Sequence, residues 1–224
     1  MGKVYDYIAD IFMPNRCPCC GRFIKWDELI CGSCENELKP CEGSSSKALE
    51  SCSAVVCVFR YEGPAKQGIY SLKDGCGANF ARYGAAKLAE LLRGCGAELM
   101  TCVPMAKRKK AERGYDQAEL TARYLAEKLG LPCDFSLLKR RSTSLEQHDL
   151  SAAERAEFAK TLYSAVPKHR DISGRKLLLI DDVCTTGATL SSCAGCLLEM
   201  GAEEVIGAAI CRTVYDPGKK EEQT

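Results

Sequence analysis

Hydrophobic and polar positions alternate with two different periods along most of this chain. Short apolar runs bounded by turn residues have the length of buried strands, and longer stretches between them repeat apolar residues every three or four positions. The short runs predict strands over 53–61, 97–105, 176–181 and 203–211. The longer stretches predict helices over 63–73, 79–94, 115–130 and about 188–200. This order predicts an α/β fold whose mainly parallel sheet is covered by helices on both faces.

Capping residues support two of the predicted helix ends. Asp116 stands where an N-cap accepts backbone N–H groups, Glu119 follows three residues later, and Gly130 lies just past the end of the same helix. Ser151 and Glu154 have the same spacing and predict a further, shorter helix.

Composition divides the chain into three parts. Residues 1–52 contain a cysteine-rich module followed by a small, polar linker, residues 53–213 carry the α/β pattern, and residues 214–224 form a polar tail that we expect to be flexible. The length of 224 residues fits one medium domain with a small appendage.

Charge and hydropathy limit the function classes only weakly. A net charge of +1, with 46% hydrophobic and 27% charged residues, is typical of a globular protein and indicates no particular partner. The amphipathic segment 4–12 is interrupted by acids, and no apolar run is long enough to cross a bilayer. We therefore expect a cytoplasmic location and no membrane partner.

The sixteen cysteines fall into two groups. Most stand singly in apolar runs, where a reduced cysteine behaves as a small hydrophobic residue. Cys17 and Cys20 form one short pair, Cys31 and Cys34 form a second, and two such pairs can supply the four thiolates of a tetrahedral zinc site. The spacing predicts zinc, with Cys19 able to replace a neighbour. Free thiols in a small core are the alternative.

The stretch 177–190, LLLIDDVCTTGATL, carries the strongest chemical signal. An apolar strand leads into Asp181 and Asp182, and because adjacent strand residues point to opposite faces, we expect the strand to end there. The loop that follows opens a helix and offers hydroxyl groups, backbone N–H groups and the positive end of a helix dipole, which together suit a phosphate. Its residues are Thr185, Thr186, Gly187, Ala188 and Thr189.

Two carboxylates beside a phosphate loop suit sugar hydroxyls better than the phosphate itself. A loop that holds a phosphate and adjacent acids that hold a diol together describe a site for ribose 5-phosphate. The loop lacks the Gly-Lys-Ser/Thr of a Walker loop and the glycine fingerprint of dinucleotide sites. The alternative is an ordinary pair of strand-end acids next to a threonine helix cap.

The same stretch resembles the signature by which type I phosphoribosyltransferases bind 5-phosphoribosyl 1-pyrophosphate (PRPP). Nearly the whole chain is similar to one branch of them, the ComF family, associated with competence and DNA uptake. The similar stretches are CPCCGR, CGSC, FRYEGPAKQGIYSLK, VPMAKRKKAERGYDQAE and LLKRRSTSLEQHDLSAAER. This resemblance implies a type I phosphoribosyltransferase-like fold with a small N-terminal zinc-ribbon-like module. Relatives often carry a second zinc ribbon, which the isolated Cys41 and Cys52 are expected not to complete.

The resemblance also implies roles for two polar segments. The basic segment 107–113 would hold pyrophosphate through Lys107, Arg108 and Arg113, with Mg²⁺ bridging the pyrophosphate oxygens. A solvated basic loop is the alternative. Gln147 and Arg155 fall in the place of the flexible loop that closes over PRPP and excludes water.

Two functions follow as expectations. In the first, the chain transfers the phosphoribosyl group of Mg-PRPP to an unknown acceptor and releases pyrophosphate, with Asp181 and Asp182 holding the ribose hydroxyls. In the second, it is a non-catalytic or weakly catalytic competence factor whose zinc module and basic segment bind single-stranded DNA or a DNA-uptake helicase. Basic grooves for single strands usually interleave aromatic residues, and Tyr115 alone lies near the basic segment.

Overall fold

The computed structural model describes residues 14–41, 49–141, 162–166 and 171–214. Within these ranges the strands are β1 (Ala54–Arg60), β2 (Leu99–Cys102), β3 (Leu138–Arg140), β4 (Tyr163–Ala165), β5 (Lys176–Cys184) and β6 (Glu204–Arg212). The helices are α1 (Gly32–Glu37), α2 (Gly63–Lys73), α3 (Ala78–Leu92), α4 (Lys107–Arg113), α5 (Gln117–Leu129) and α6 (Ala188–Glu199). The capping pair at Ser151 and Glu154 and the tail after residue 214 lie outside the described residues.

Four strands form one parallel sheet in the order β1-β6-β5-β2. This confirms the predicted architecture. The strand predicted over 97–105 is shorter than expected, because Pro104 has no N–H to donate to a ladder. Strands β3 and β4 form a separate antiparallel pair beside this sheet.

Alternation along the central strand divides the core into two layers. Leu178 and Ile180 of β5 pack into a cluster with residues of α2, α3 and α5. Leu177 and Leu179 point the other way, into a cluster with α6 and the β3–β4 pair. Since both faces are covered, β5 is apolar at every position from 177 to 180, as expected for a buried parallel strand.

The predicted N-cap and C-cap residues of α5 are confirmed, whereas the carboxylate of Glu119 accepts from Lys110 and Arg123. Asp116 Oδ1 accepts the backbone N–H groups of Ala118 and Glu119, and Gly130 ends the helix with a φ of 68°. Asp116 Oδ2 also accepts the N–H of Met105 at 2.9 Å. One buried carboxylate therefore fixes both the start of α5 and the turn that follows β2.

Helix α3 lies unusually close to the sheet at Gly84. A Cβ atom added there would lie 2.8 Å from Cγ1 and Cγ2 of the fully buried Ile210 on β6. By contrast, a Cβ at Gly195 of α6 would meet only Ser51 Oγ, at an ordinary 3.5 Å.

In the described residues, no helix combines the length and apolar character needed to span a membrane.

We expect Gly84→Ala to destabilise the fold although alanine favours helices. The gain in helix propensity is about 1 kcal/mol, whereas overpacking a core costs about 1–3 kcal/mol. The β-branched Ile210 has few rotamers with which to yield. Urea unfolding of the full chain measures the difference.

Gly195→Ala is the matched control, since it adds the same methyl group to a helix with room for it. It should raise the free energy of unfolding by roughly 0.5–1 kcal/mol. Equal gains from both substitutions would contradict close packing of α3 on β6.

Candidate functional site

Strand β5 continues past both aspartates, so the prediction that it ends at Asp181 is wrong. Strand β6 is long enough to pair with it as far as Cys184, and the register is the same on either side of Asp182. Side-chain bonds to the backbone orient both acids: Asp181 Oδ1 accepts the N–H of Asp182, and Asp182 Oδ1 accepts the N–H of Val183, each at 2.8 Å. Both aspartates nevertheless line one cleft at the carboxyl edge of the sheet.

This cleft has a volume of about 340 Å³ and collects polar groups from several elements. Thr185 and Thr189 of the loop after β5 line it with the two aspartates. From outside this loop it is lined by Tyr61, Lys73, Lys109, Arg113, Gln117, Arg140 and Tyr163, among others. Parallel pairing explains this arrangement, because the carboxyl ends of all four strands lie at the same edge.

The loop after β5 has two sides. Gly187 is the N-cap of α6 with a φ of 85°, a conformation that favours glycine, and Thr186 Oγ1 accepts the N–H of Ala188 at 3.3 Å. Thr186, Gly187 and Ala188 border a second, larger groove of about 1050 Å³, between α6 and the β3–β4 pair. Leu49 packs on this side, where a Cβ at Gly187 would lie 2.5 Å from Leu49 Cδ1. Only the threonines at the two ends of the loop face the cleft with the acids.

The basic segment is helical rather than a loop. Lysine, arginine, alanine and glutamate all favour helices, Arg108 pairs with Glu112 one turn later at 3.0 Å, and Gly114 ends α4 with a φ of 80°. Because a helix distributes its side chains around an axis, the predicted basic residues separate. Arg113 lines the cleft together with Lys109, whereas Lys107 and Arg108 are exposed and are not among the residues that line it.

Lys73, at the end of α2, places a positive charge next to the acids of the cleft. Its Nζ lies 3.5 Å from Asp182 Oδ2, and both side chains are largely buried. The Tyr115 hydroxyl donates to the carbonyl of Leu72, which ties the end of α2 to the segment before α5. The structure therefore places Lys73 in the cleft.

The carboxyl of Asp181 has a strongly perturbed pKa. Burial, and then the charge of Asp182, raise the pKa of the Asp181 carboxyl well above its ordinary value. Burial also raises the pKa of Tyr61 and of Tyr163 to about 12, so both phenols remain protonated at neutral pH and can donate. The cleft therefore combines one carboxyl that resists ionisation with neutral hydroxyl donors.

Sequence reasoning missed the part of the cleft contributed by the β3–β4 pair. Arg140 and Tyr163 lie across this pair, with the guanidinium carbon 5.9 Å from the ring centroid. Arg140 stands in the stretch LLKRRSTS, whose resemblance to the ComF family was the one signal that could have indicated it. Gln147 and Arg155, assigned to the flexible loop, lie outside the described residues, between β3 and β4 in the chain.

A separate candidate metal centre is formed by four cysteines. The sulfur atoms of Cys17, Cys20, Cys31 and Cys34 all lie within 4.8 Å of one another. Cys20 Sγ and Cys31 Sγ are 3.7 Å apart, close to the edge of about 3.8 Å that a tetrahedron with metal–sulfur bonds of about 2.3 Å requires. The set therefore fits a tetrahedral thiolate site, and Cys19 is not part of it.

Local hydrogen bonds prepare one of these thiols for ionisation. Burial opposes the Cys17 thiolate, but N–H donors of Cys31, Cys19 and Cys20 outweigh it and lower the pKa of Cys17 to about 7. Burial raises the pKa of Cys19 to about 12, as expected of an unreactive core thiol. None of the sixteen cysteines, all of which the structure describes, forms a disulfide.

The cysteine module is built onto the α/β core. Cys17, Cys31 and Cys34 belong to the same hydrophobic cluster as α2 and α3. The Tyr83 hydroxyl donates to Glu35 Oε1 at 2.8 Å, and the following segment pairs with β1 through N–H bonds from Cys41 to Val58 and from Arg60 to Lys39. Cys52, one of the two isolated cysteines, packs under α6 with its thiol directed at the carbonyl of Leu190.

Known proteins resemble both parts of the chain. Residues 115–223 match the family described as the phosphoribosyl transferase domain. DNA utilization protein YhgH of Salmonella typhimurium is 30% identical over 213 residues, covering 89% of this chain and 85% of that protein. Competence protein ComFC of Bacillus subtilis is 26% identical over 204 residues, covering 80% and 81%. Competence protein F of Haemophilus influenzae is 32% identical over 108 residues, covering 48% and 47%.

Among solved structures, the glutamine PRPP amidotransferase from B. subtilis, complexed with ADP and GMP, is 25% identical with a TM-score of 0.40. The match covers 59% of this chain and 27% of that one. The similarity to YhgH, in contrast, extends over most of both proteins. With a phosphoribosyl transferase domain and relatives of this kind, the chain belongs to the ComF family.

Proposed function

We propose that the chain binds PRPP and transfers its phosphoribosyl group to an acceptor with release of pyrophosphate. The observation that carries this proposal is the single cleft in which the acids of β5, the threonines of the following loop and the cations of α4 come together. Acids suit the ribose hydroxyls, hydroxyl donors suit the 5-phosphate, and fixed cations suit the pyrophosphate. A phosphoribosyl donor presents these three groups on one small molecule.

The ribose is assigned to Asp181 and Asp182. Each has one oxygen bound to a backbone N–H, which fixes the carboxylate plane and leaves the other oxygen for a sugar hydroxyl. Lys73 offsets the charge of Asp182 in the free protein. The 5-phosphate is assigned to the loop 185–189, where Thr185 and Thr189 face the cleft.

Arg113 and Lys109 are assigned to the leaving group. In the transfer, a lone pair of the acceptor forms a bond to C1 of the ribose, and the C1–oxygen bond breaks with its electron pair leaving on pyrophosphate. Cations fixed at that end stabilise the negative charge as it develops. The acceptor loses its proton to solvent or to a base that we do not assign.

Magnesium fits this cleft only as a substrate-bound ion. Mg²⁺ favours one or two carboxylates together with phosphate oxygens and waters, and Asp181 and Asp182 could supply the protein's share. When bound, it would neutralise pyrophosphate oxygens. In the described part of the chain, no group of three acidic or histidine ligands provides a separate magnesium cage.

Zinc is assigned to Cys17, Cys20, Cys31 and Cys34. A closed set of four thiolates leaves no position for substrate, which indicates a structural rather than a catalytic ion. Its role would be to hold the cysteine module against α2 and α3, in the cluster these cysteines share with the core.

A second function, binding of single-stranded DNA, is favoured by a surface of the cysteine module. Phe23 is 58% exposed, and the Arg16 guanidinium lies 4.0 Å from the centre of its ring. The exposed Lys25 lies nearby in the chain. An exposed aromatic ring flanked by cations suits a stacked base and its phosphates. Such binding would weaken steeply with salt and would survive loss of both aspartates.

Replacing both aspartates with asparagine should weaken PRPP binding strongly. A hydrogen bond contributes about 0.5–1.5 kcal/mol between neutral groups and about 1.5–3 kcal/mol where one partner is charged, so loss of one bond of each kind should weaken affinity by roughly 30-fold or more. Calorimetric titration of the zinc-loaded chain with PRPP and Mg²⁺ measures this, and Asp27→Asn, an exposed change in the cysteine module, is the control. No binding by the unmodified protein would refute the proposal.

Asp181→Asn alone should stabilise the fold at neutral and higher pH. In the folded protein the pKa of Asp181 is raised above its ordinary value of 3.8. The folded protein therefore loses stability as the pH rises from 3.8 to the raised pKa, and above the raised pKa the loss stays constant. Asparagine keeps the shape without the charge. The midpoint of thermal unfolding should therefore exceed that of the unmodified protein at about pH 8, and the difference should shrink toward about pH 4. A difference in unfolding midpoint that did not change with pH would contradict the raised pKa of the Asp181 carboxyl.

Cys34→Ser should remove zinc and destabilise the protein, because the remaining thiolates cannot close the tetrahedron. We expect one zinc ion per chain in the unmodified protein and much less in the variant. Its unfolding midpoint should fall by about 2–4 °C for each kcal/mol lost. Cys76→Ser, at an exposed thiol outside the cluster, is the control and should change neither quantity. Metal content and calorimetry decide the outcome.

A further inference from the structure

Gln117 is a buried amide in the wall of the cleft whose donor group has no described partner. It is the first residue of α5, is only 2% exposed and lines the cleft. Its Nε2 atom has no hydrogen-bond partner among the residues that the structure describes. Buried amides in folded proteins are nearly always hydrogen-bonded, so this group calls for an acceptor that enters the cleft.

Several backbone donors at this end of α5 are already used. Asp116 accepts the N–H groups of Ala118 and Glu119, at 3.0 and 3.2 Å. Its second oxygen accepts the N–H of Met105 at 2.9 Å. Three donated bonds also offset the charge of Asp116, which would otherwise repel an anion near Gln117. The side-chain amide of Gln117 adds a neutral donor at this position.

The charges around Gln117 indicate which kind of acceptor it would meet. Arg113 and Lys109 of α4 line the same cleft, and the turn at Met105 is tied to Asp116, the residue before Gln117. Sugar hydroxyls are better served by Asp181 and Asp182, which accept rather than donate. An oxygen-rich anion between α4 and the start of α5 matches the donors at this end of the cleft.

We propose that Gln117 is a substrate-binding residue whose Nε2 donates a hydrogen bond to the diphosphate of the phosphoribosyl donor, beside Arg113 and Lys109. The inference rests on the proposed function and adds a residue to it. A neutral donor supplies direction without another fixed charge, so it can orient the diphosphate while the two cations supply most of the attraction. Of the basic residues predicted to hold pyrophosphate, Lys107 and Arg108 lie outside the cleft lining, whereas Arg113 is part of it, as is Gln117.

Two separate probes test this on the full, zinc-loaded chain: inorganic pyrophosphate with Mg²⁺, and ribose 5-phosphate. Calorimetric titrations compare the unmodified protein with Gln117→Met, which keeps the side-chain length and removes the donor. We expect pyrophosphate to bind the variant roughly 10- to 100-fold more weakly, since a bond to a charged group is lost. Ribose 5-phosphate should bind both proteins equally. Glu127→Met, exposed on the same helix, is the control and should change neither affinity.

The outcomes separate the inference from the function on which it rests. If the unmodified protein binds both probes and Gln117→Met binds both equally well, the inference is overturned and the proposed function stands. If Gln117→Met loses both probes alike while its unfolding midpoint is unchanged, the assignment to the diphosphate is overturned. If the unmodified protein binds neither probe, the proposed function fails and the inference fails with it.

Discussion

The parallel pairing of β5 with β6 on one side and β2 on the other is the constraint on which the remaining structure depends. Parallel strands all finish at the same edge, so every segment that leaves the sheet there contributes to one cleft. The acids and hydroxyls come from β5 and its loop, and the cations come from α4, which follows β2. No single segment of the chain contains this set.

Local chemistry and long-range packing differ in how well the sequence predicts them. The α/β order, the cap at Asp116 and the four-cysteine cluster followed from residues close together in the chain, since period, capping and ligand spacing are local properties. The end of β5 did not, because it depends on how far β6 continues beside it. The basic segment was also misjudged: its charge suggested a loop, whereas its helix-forming residues and the Arg108–Glu112 pair produce α4.

The cleft residues that were missed share one property. Arg140 and Gln117 are distant in sequence from the aspartates, and only the folded chain brings them to the same cavity. Lys73 is likewise distant in sequence, and its distance to Asp182 distinguishes a cleft residue from a surface lysine. The topology of the fold decides which acids, cations and amides lie together in the cleft.

Stability and chemistry are in tension at the centre of this sheet. Asp181 follows four apolar residues in its strand, and burial there raises the pKa of its carboxyl because the charged form is disfavoured. Proteins accept such a cost where a site requires it, and the apolar layers on both faces of β5 offset it.

The close approach of α3 to the sheet has a consequence for how this fold can change in evolution. Positions 84 and 210 share one volume, so neither can enlarge unless the other shrinks at the same time. A lineage that lost the glycine would have to shorten the isoleucine or move the helix. Moving the helix would shift α2 and the cysteine module, which pack in the same cluster. Because positions 84 and 210 share a volume the size of one methyl group, substitutions in the sheet and in the zinc-binding end of the chain are expected to be coupled in evolution.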